Sequence, residues 1–344
     1  MKRDLLVIKF GTASITKPSG EPDLDILKEI ARQVAELHKT HRVVIVSSGA
    51  VGAGKKYIKD YEGQISQKKA AAAIGNPLLL KMYDSVFSEH GITVAQSLLE
   101  RQHFANRQQF LQLKETYEEL WRNNIIAIAN ENDVVSNREL KFSDNDELST
   151  LIASGFGAKL MMLCTASGGL MNKEGELLKA IEEINETVLS YVSKSKTALG
   201  SGGMSSKLTF THLANKMGIK VVIFGMKEEN GILKAYNGES GTAFSPRGKL
   251  LNAKTKWLAS GGVSVGRITV DTGAVKALLE RRSLLAVGVR KIEGDFAKGE
   301  LIEVATEAGD IIGVGKSKVS STVFTDESRS KNTVIIHADD LVLL

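Results

Sequence analysis

The sequence predicts an α/β protein: a layered domain with a mostly parallel sheet, followed by a small β-rich domain. Three observations carry this. Over the first two thirds of the chain, short aliphatic runs alternate with longer segments of helical period. Those runs are apolar throughout, as strands covered on both faces are, rather than alternating apolar with polar. After Trp257 the segments shorten, become strand-rich and are punctuated by glycine turns.

Leu5–Phe10 is the first expected strand. Leu24–His38 reads as a helix, because Leu24, Ile26, Leu27, Ile30, Val34 and Leu37 fall near one face. Arg42–Ser48 is the second strand. Gln67–His90 is a long helix whose apolar run is broken by Gly75, Asn76 and Pro77. No segment therefore reaches the roughly 18–20 apolar residues of a spanning helix. Ile92–Leu98 is a strand, Phe104–Asn123 a helix and Asn124–Asn130 a strand. A helical run over Leu148–Gly157 leads to the strand Lys159–Thr165, then the helix Ser205–Met217 and the strand Lys220–Phe224. Leu258–Ser264 is rich in small residues and reads as a linker, which sets the domains at 1–258 and 265–344. The second domain is expected to hold strands Arg267–Val270, Ser283–Val289, Leu301–Ala305, Ile311–Ser317, Thr333–His337 and Leu341–Leu344, with one helix at Gly273–Arg281. A small barrel suits that pattern.

Composition bounds the function. The chain has 344 residues, of which 42% are hydrophobic and 25% charged, which is ordinary for a folded globular protein and excludes disorder. The one cysteine, Cys164, excludes an internal disulfide and a cysteine-based zinc cluster, and fits a reducing compartment. The formal charge of +5 is spread over a long chain, with no block of like charge to mark a nucleic-acid tail. Met1-Lys2-Arg3-Asp4 leads straight into a strand without a signal-peptide pattern, so the expected location is the cytoplasm, with no membrane partner. The six histidines show no metal-ligand spacing, and no residues are assigned as metal ligands.

Four stretches have the residue types for chemistry. Lys9, in Ile8-Lys9-Phe10-Gly11-Thr12, ends a buried strand. A lysine there is costly unless it meets an anion or reaches solvent. Ser47-Ser48-Gly49-Ala50-Val51-Gly52-Ala53-Gly54 opens a helix, and its small residues suit either an anion at the helix N-terminus or tight packing. It is not a P-loop, because no Ser or Thr follows Lys55. Asn130-Glu131-Asn132-Asp133 and Asp144-Asn145-Asp146-Glu147 gather amides and carboxylates at a strand end and a helix start. Caps and turns account for one or two of these residues. The rest suit an ammonium group, lysines or a magnesium-bound phosphate. Gly200-Ser201-Gly202-Gly203-Met204-Ser205-Ser206-Lys207 opens a helix with permissive backbone and a lysine. It suits a nucleotide's phosphates, or a solvated loop. Taken together, the lysines, the acidic cluster and the glycine loop point to phosphoryl transfer, which depends on positioning and charge stabilisation.

In their order, Lys9-Phe10-Gly11-Thr12, Ser47-Ser48-Gly49-Ala50, Asn130-Glu131-Asn132-Asp133, Asp144-Asn145-Asp146 and Gly202–Lys207 resemble the motifs of the glutamate 5-kinases within the amino acid kinase family. Ile268–Ala274 resembles the entry to a PUA domain. The resemblance implies a three-layer α/β/α kinase domain with a mostly parallel central sheet, and a PUA-like barrel. It implies ATP-dependent phosphorylation of the γ-carboxylate of L-glutamate, with Mg2+, as the first step of proline synthesis. It also implies feedback inhibition by proline and a homo-oligomer, a dimer or tetramer. By the same resemblance Lys9 and Lys207 contact the transferred phosphoryl group and Asp146 organises them. Ser48, Asp133 and Asn145 match glutamate-binding positions. Lys9, Thr165, Ala166, Ser201, Gly202, Gly203, Met204, Ser205, Ser206 and Lys207 match ATP-binding positions. The chain departs from the family at Ala166, where Thr165 is usually followed by Asp, and over Lys316–Lys331, which is shorter and more polar. That second departure leaves RNA binding by the C-terminal domain without support. A kinase with another acceptor and a regulatory or RNA-binding protein with a weakened site are the alternative functions.

Overall fold

The apolar runs of the first part of the chain pair into one eight-stranded sheet. The computed structural model describes residues 3–135, 145–192, 203–246, 264–308, 311–323 and 333–343. The strands of this sheet are β1 (Leu5–Phe10), β2 (Arg42–Ser47), β3 (Val94–Leu99), β4 (Ile126–Glu131), β5 (Leu160–Cys164), β6 (Ala180–Ile181), β7 (Lys220–Phe224) and β8 (Thr242–Phe244). They lie in the order β3-β4-β2-β1-β5-β7-β8-β6. From β3 to β7 every pairing is parallel, and β8 runs antiparallel to β7.

The connecting helices explain why the strands are apolar on both faces. They are α1 (Thr12–Ile15), α2 (Leu24–His38), α3 (Ala50–Gly54), α4 (Ile65–Ser88), α5 (Gln102–Ala105), α6 (Arg107–Arg122), α7 (Asn145–Phe156), α8 (Glu186–Ser190), α9 (Met204–Lys216) and α10 (Gly231–Asn237). Leu6, Ile8, Phe10, Ile45 and Ile128 share one core with α2, α4 and α10. On the other face α7 lies against β1 and β5, α9 against β7, and α6 against β4. This is the expected three-layer α/β/α arrangement. No helix among the described residues is long and apolar enough to cross a membrane.

The chain divides into two compact units. The second holds a curled six-stranded sheet of β9 (Ser264–Val270), β10 (Leu284–Leu285), β11 (Val289–Glu293), β12 (Leu301–Thr306), β13 (Ile311–Ser317) and β14 (Val334–Leu343), with helix α11 (Thr272–Leu279). All pairs are antiparallel except β9 with β12. Asp271 caps α11 by accepting from the Ala274 N–H at 2.8 Å. Ile268, Val270, Leu278, Leu284, Val304 and Ile336 form this unit's own core. The expected linker, Leu258–Ser264, lies almost wholly outside the described residues.

Several expected boundaries are corrected. Asn124 stands at φ 57, a left-handed turn position, so β4 begins two residues later than expected, at Ile126. The helix expected over Phe104–Asn123 is two helices, α5 and α6. The strand expected over Ser283–Val289 breaks into β10, a short 3-10 turn at Ala286–Gly288 and β11. There the Gly288 carbonyl accepts from the Asp271 N–H, tying the turn to the start of α11. The strands expected at Thr333–His337 and Leu341–Leu344 are one strand, β14. It lies between β10 and β13: Ile336 pairs with Leu284 on one side and with Ser317 on the other, and the register with β13 shifts between Gly315 and Ser317, so the polar residues after Ile336 mark an irregularity within one strand, not a break.

Small residues set the contact of α3 with α4. A Cβ on Gly75 would lie 1.7 Å from the Ala50 carbonyl oxygen, and one on Gly54 would lie 1.9 Å from that of Ala71. Backbone cannot yield to such contacts. Gly75→Ala should therefore destabilise by about 1–3 kcal/mol or more and lower the thermal midpoint. An unchanged midpoint by circular dichroism would mean that the two helices separate freely.

Candidate active site

The strand period aims Lys9. Ile8 and Phe10 point into the α2 and α4 core, so Lys9 points to the opposite face, where α7 begins. Its Nζ lies 2.7 Å from Asp146 Oδ1, with the two side chains only 5% and 0% exposed. Lys9 does not escape to solvent. It forms a buried ion pair. Lys207, from the first turn of α9, donates to Asp146 Oδ2 at 3.1 Å and is 7% exposed. Two lysines almost 200 positions apart in sequence thus converge on one carboxylate.

Asp146 is the second residue of α7, and the helix N-terminus favours a negative charge there. Burial alone pushes its carboxyl up. The ammonium groups of Lys9 and Lys207 outweigh this and hold it below the usual carboxylate range. The next residue, Glu147, pairs with Arg101 from the turn after β3, which fixes the first turn of α7. Sequence reasoning gave no sign of Arg101, because its partner is 46 positions away and no motif joins them.

Amides gather beside this triad. Asn145 Nδ2 donates to Ser48 Oγ at 2.8 Å and to Asn130 Oδ1 at 3.0 Å. Asn130 Nδ2 in turn donates to Asn76 Oδ1, in the middle of α4, at 3.1 Å. Ser48 follows β2 directly, and Gly49, at φ 103, lets the chain turn into α3. The small-residue stretch serves tight packing, since Gly52 and Gly54 leave no room for a Cβ, and it places Ser48 against Asn145. Asn76 was legible only as a break in an apolar run. Asp133 is half-buried in the turn after β4.

The ends of β5 and β7 meet nearby. The Thr165 N–H donates to the Phe224 carbonyl at 2.7 Å. A Cβ on Gly225 would lie 2.7 Å from Gly168 Cα, so this turn needs glycine for close approach. Ala166 is exposed in that turn. Gly203 is the N-cap of α9, with Met204, Ser205 and Ser206 in the first turn and no side-chain hydrogen bond from the cap residue. Such a terminus attracts phosphate. Ser201, Gly202 and Asp144 lie outside the described residues. Cys164 is buried, and burial pushes its thiol up to about 11, so it is not an activated nucleophile. Among the described residues no three His, Cys, Asp or Glu side chains gather as a metal cage.

Comparison with known proteins gives the family and the fold. Residues 4–225 match the model of the amino acid kinase family, and residues 266–331 match that of the PUA domain. The chain is 34% identical to a glutamate 5-kinase of Vibrio vulnificus, over 98% of this chain and 96% of that protein. It is 35% identical to a glutamate 5-kinase of Dehalococcoides mccartyi, over 98% of each. Among solved structures, a carbamate kinase from Giardia lamblia bound to AMP-PNP superposes with a TM-score of 0.51 at 16% identity, covering 71% of this chain and 99% of that one. A UMP kinase from Ureaplasma parvum gives a TM-score of 0.50 at 11% identity, covering 71% of this chain and 100% of that one.

Proposed function

The chain belongs to the amino acid kinase family, and we propose that it transfers the γ-phosphoryl group of ATP to the γ-carboxylate of L-glutamate as the first step of proline synthesis. The observation that carries this is the convergence of Lys9 and Lys207 on Asp146 beyond the carboxyl ends of the parallel strands, where open α/β sheets bind ligands. A carboxylate oxygen of glutamate attacks the γ-phosphorus. The bond from that phosphorus to the β–γ bridging oxygen breaks, ADP leaves, and L-glutamyl 5-phosphate forms. The attacking group is already an anion, so no general base is needed. The barrier is the repulsion between carboxylate and triphosphate. Lys9 and Lys207 offset it with charge that is fixed before the substrates arrive, and Asp146 fixes them without touching the substrate.

In this reading the α9 N-terminus, from Ser201 to Lys207, cradles the phosphates, and Thr165 and Ala166 line the nucleotide site. The magnesium ion enters as part of the nucleotide substrate and lowers the negative charge of its phosphates. Ser48, Asp133 and Asn145 hold glutamate, with acidic and amide oxygens accepting from its ammonium group. The kinase domain is 1–258 and the PUA domain 265–344. Proline binds at or near the glutamate site as an inhibitor, the working form is a dimer or tetramer, and the location is the cytoplasm.

The test is an acceptor panel with MgATP, with and without proline, using hydroxylamine to trap acyl phosphate. Hydroxamate formed with L-glutamate and suppressed by proline is expected. Turnover of another acceptor in preference to glutamate would reject the assignment. Asp133→Ala should raise KM for glutamate about tenfold or more, as loss of a hydrogen bond to a charged group does, while KM for ATP stays put. Equal effects on both would remove Asp133 from the acceptor pocket.

A further inference from the structure

The amides of Asn76, Asn130 and Asn145 form a directed chain, and we propose that Asn76 is the positioning residue that sets its direction and so selects an acceptor bearing an ammonium group. This rests on the reading of the site as a glutamate pocket. Asn145 spends both protons of its NH2 group, on Ser48 Oγ and Asn130 Oδ1. What it has left to offer is its Oδ1, to which nothing among the described residues donates. An amide oxygen attracts an ammonium group, whereas an NH2 group would attract a carboxylate.

That direction is inherited along the chain. Asn130 turns its oxygen to Asn145 because its own Nδ2 is directed at Asn76 Oδ1. Turning Asn76 over would bring its NH2 to Asn130. Asn130 and then Asn145 would have to reverse, and the pocket would present an NH2 group instead. The side chain at position 76 therefore chooses between two arrangements with the same number of bonds among the amides. Asn76 is 5% exposed in the middle of α4, and its Nδ2 is buried without a partner among the described residues. An idle buried donor is costly, and position 76 sits beside Gly75 and near Leu79, where an apolar side chain would meet no such penalty. Among the described residues, the oxygen directed at Asn130 is the one contact this amide makes.

The test compares L-glutamate with glutarate, which lacks the ammonium group, as acceptors for the full-length protein. The proteins are wild type, Asn76→Asp and Asn76→Leu, with Asn76→Ala as a second truncation should the leucine variant not fold. Asp presents only oxygens and holds the chain in its observed direction, so its ratio of kcat/KM for the two acids should stay within about threefold of wild type. Leu and Ala release the direction, and the ratio should fall about tenfold, through KM for glutamate, with kcat and KM for ATP unchanged. A purely structural role predicts the reverse order, because a buried acid is worse tolerated than leucine. A ratio unmoved by the truncations, or lost equally in Asn76→Asp, would overturn the proposal. A wild type that phosphorylates neither acid would overturn the glutamate reading and this inference with it.

Discussion

Lys207→Ala should lower kcat by about 10³-fold and leave both KM values within a few-fold of wild type. Its side chain is 7% exposed and its ammonium is already held by Asp146, so no reorganisation is needed when charge builds on the transferred phosphoryl group. Removing one such preorganised donor costs about 2.7–4 kcal/mol of transition-state stabilisation. The fold should survive, because Asp146 keeps Lys9 at 2.7 Å and the remaining pair is neutral. Lys207→Arg should not restore the rate, since a planar fork does not fit a buried site shaped for a point charge. The measurement is steady-state ADP release beside a thermal melt. A kcat near wild type in a folded variant would exclude Lys207 from the chemistry.

The residues at issue show what a sequence reveals and what it withholds. Lys9 was legible because a lysine inside a strand as apolar as Leu5–Phe10 must be compensated, and only an anion or solvent can do that. Leu24–His38 was legible to the residue, because its apolar face is uninterrupted and Asp23 caps it. From its own residues Asp146 was legible only as part of an acidic cluster; its pairing with Lys9 and Lys207 came from the family resemblance, since ion pairing across 137 and 61 positions leaves no local pattern. Asn124 misled for a related reason. Its neighbours are strand formers, and only its left-handed backbone marks the turn. In the second unit the register of β14 against β13 shifts beyond Ile336, a long-range irregularity that polar residues in the strand imitate as a loop. Asn76 is the extreme case. Within a helix its side chain reads as an imperfection, and its partner becomes visible only when β4 is laid beside α4.

Asp146→Asn should be the most destabilising single change at the site. It leaves Lys9 and Lys207 with two buried ammonium groups and no counter-charge. Breaking a buried ion pair from one side typically costs about 3–5 kcal/mol, which corresponds to a fall in thermal midpoint of about 10 °C for a domain of this size. Activity should fall with it, because the lysines lose the group that aims them. The pH dependence separates this effect from ordinary loss of packing. The Asp146 carboxyl is held below its usual range in the folded protein, so the unfolded chain binds its proton first as pH falls. Its contribution is therefore fully present above the ordinary carboxylate value and is lost as pH drops through the lower folded value. The stability gap between wild type and Asp146→Asn should be constant near neutral pH and close in that acid range. A gap that persists unchanged into acid would mean that the loss is steric. Replacing all three members together with apolar residues should restore much of the midpoint and none of the turnover, because an apolar cluster avoids the desolvation that a buried triad must offset. That pairing of results would assign the triad to catalysis and deny it a net role in holding the fold together.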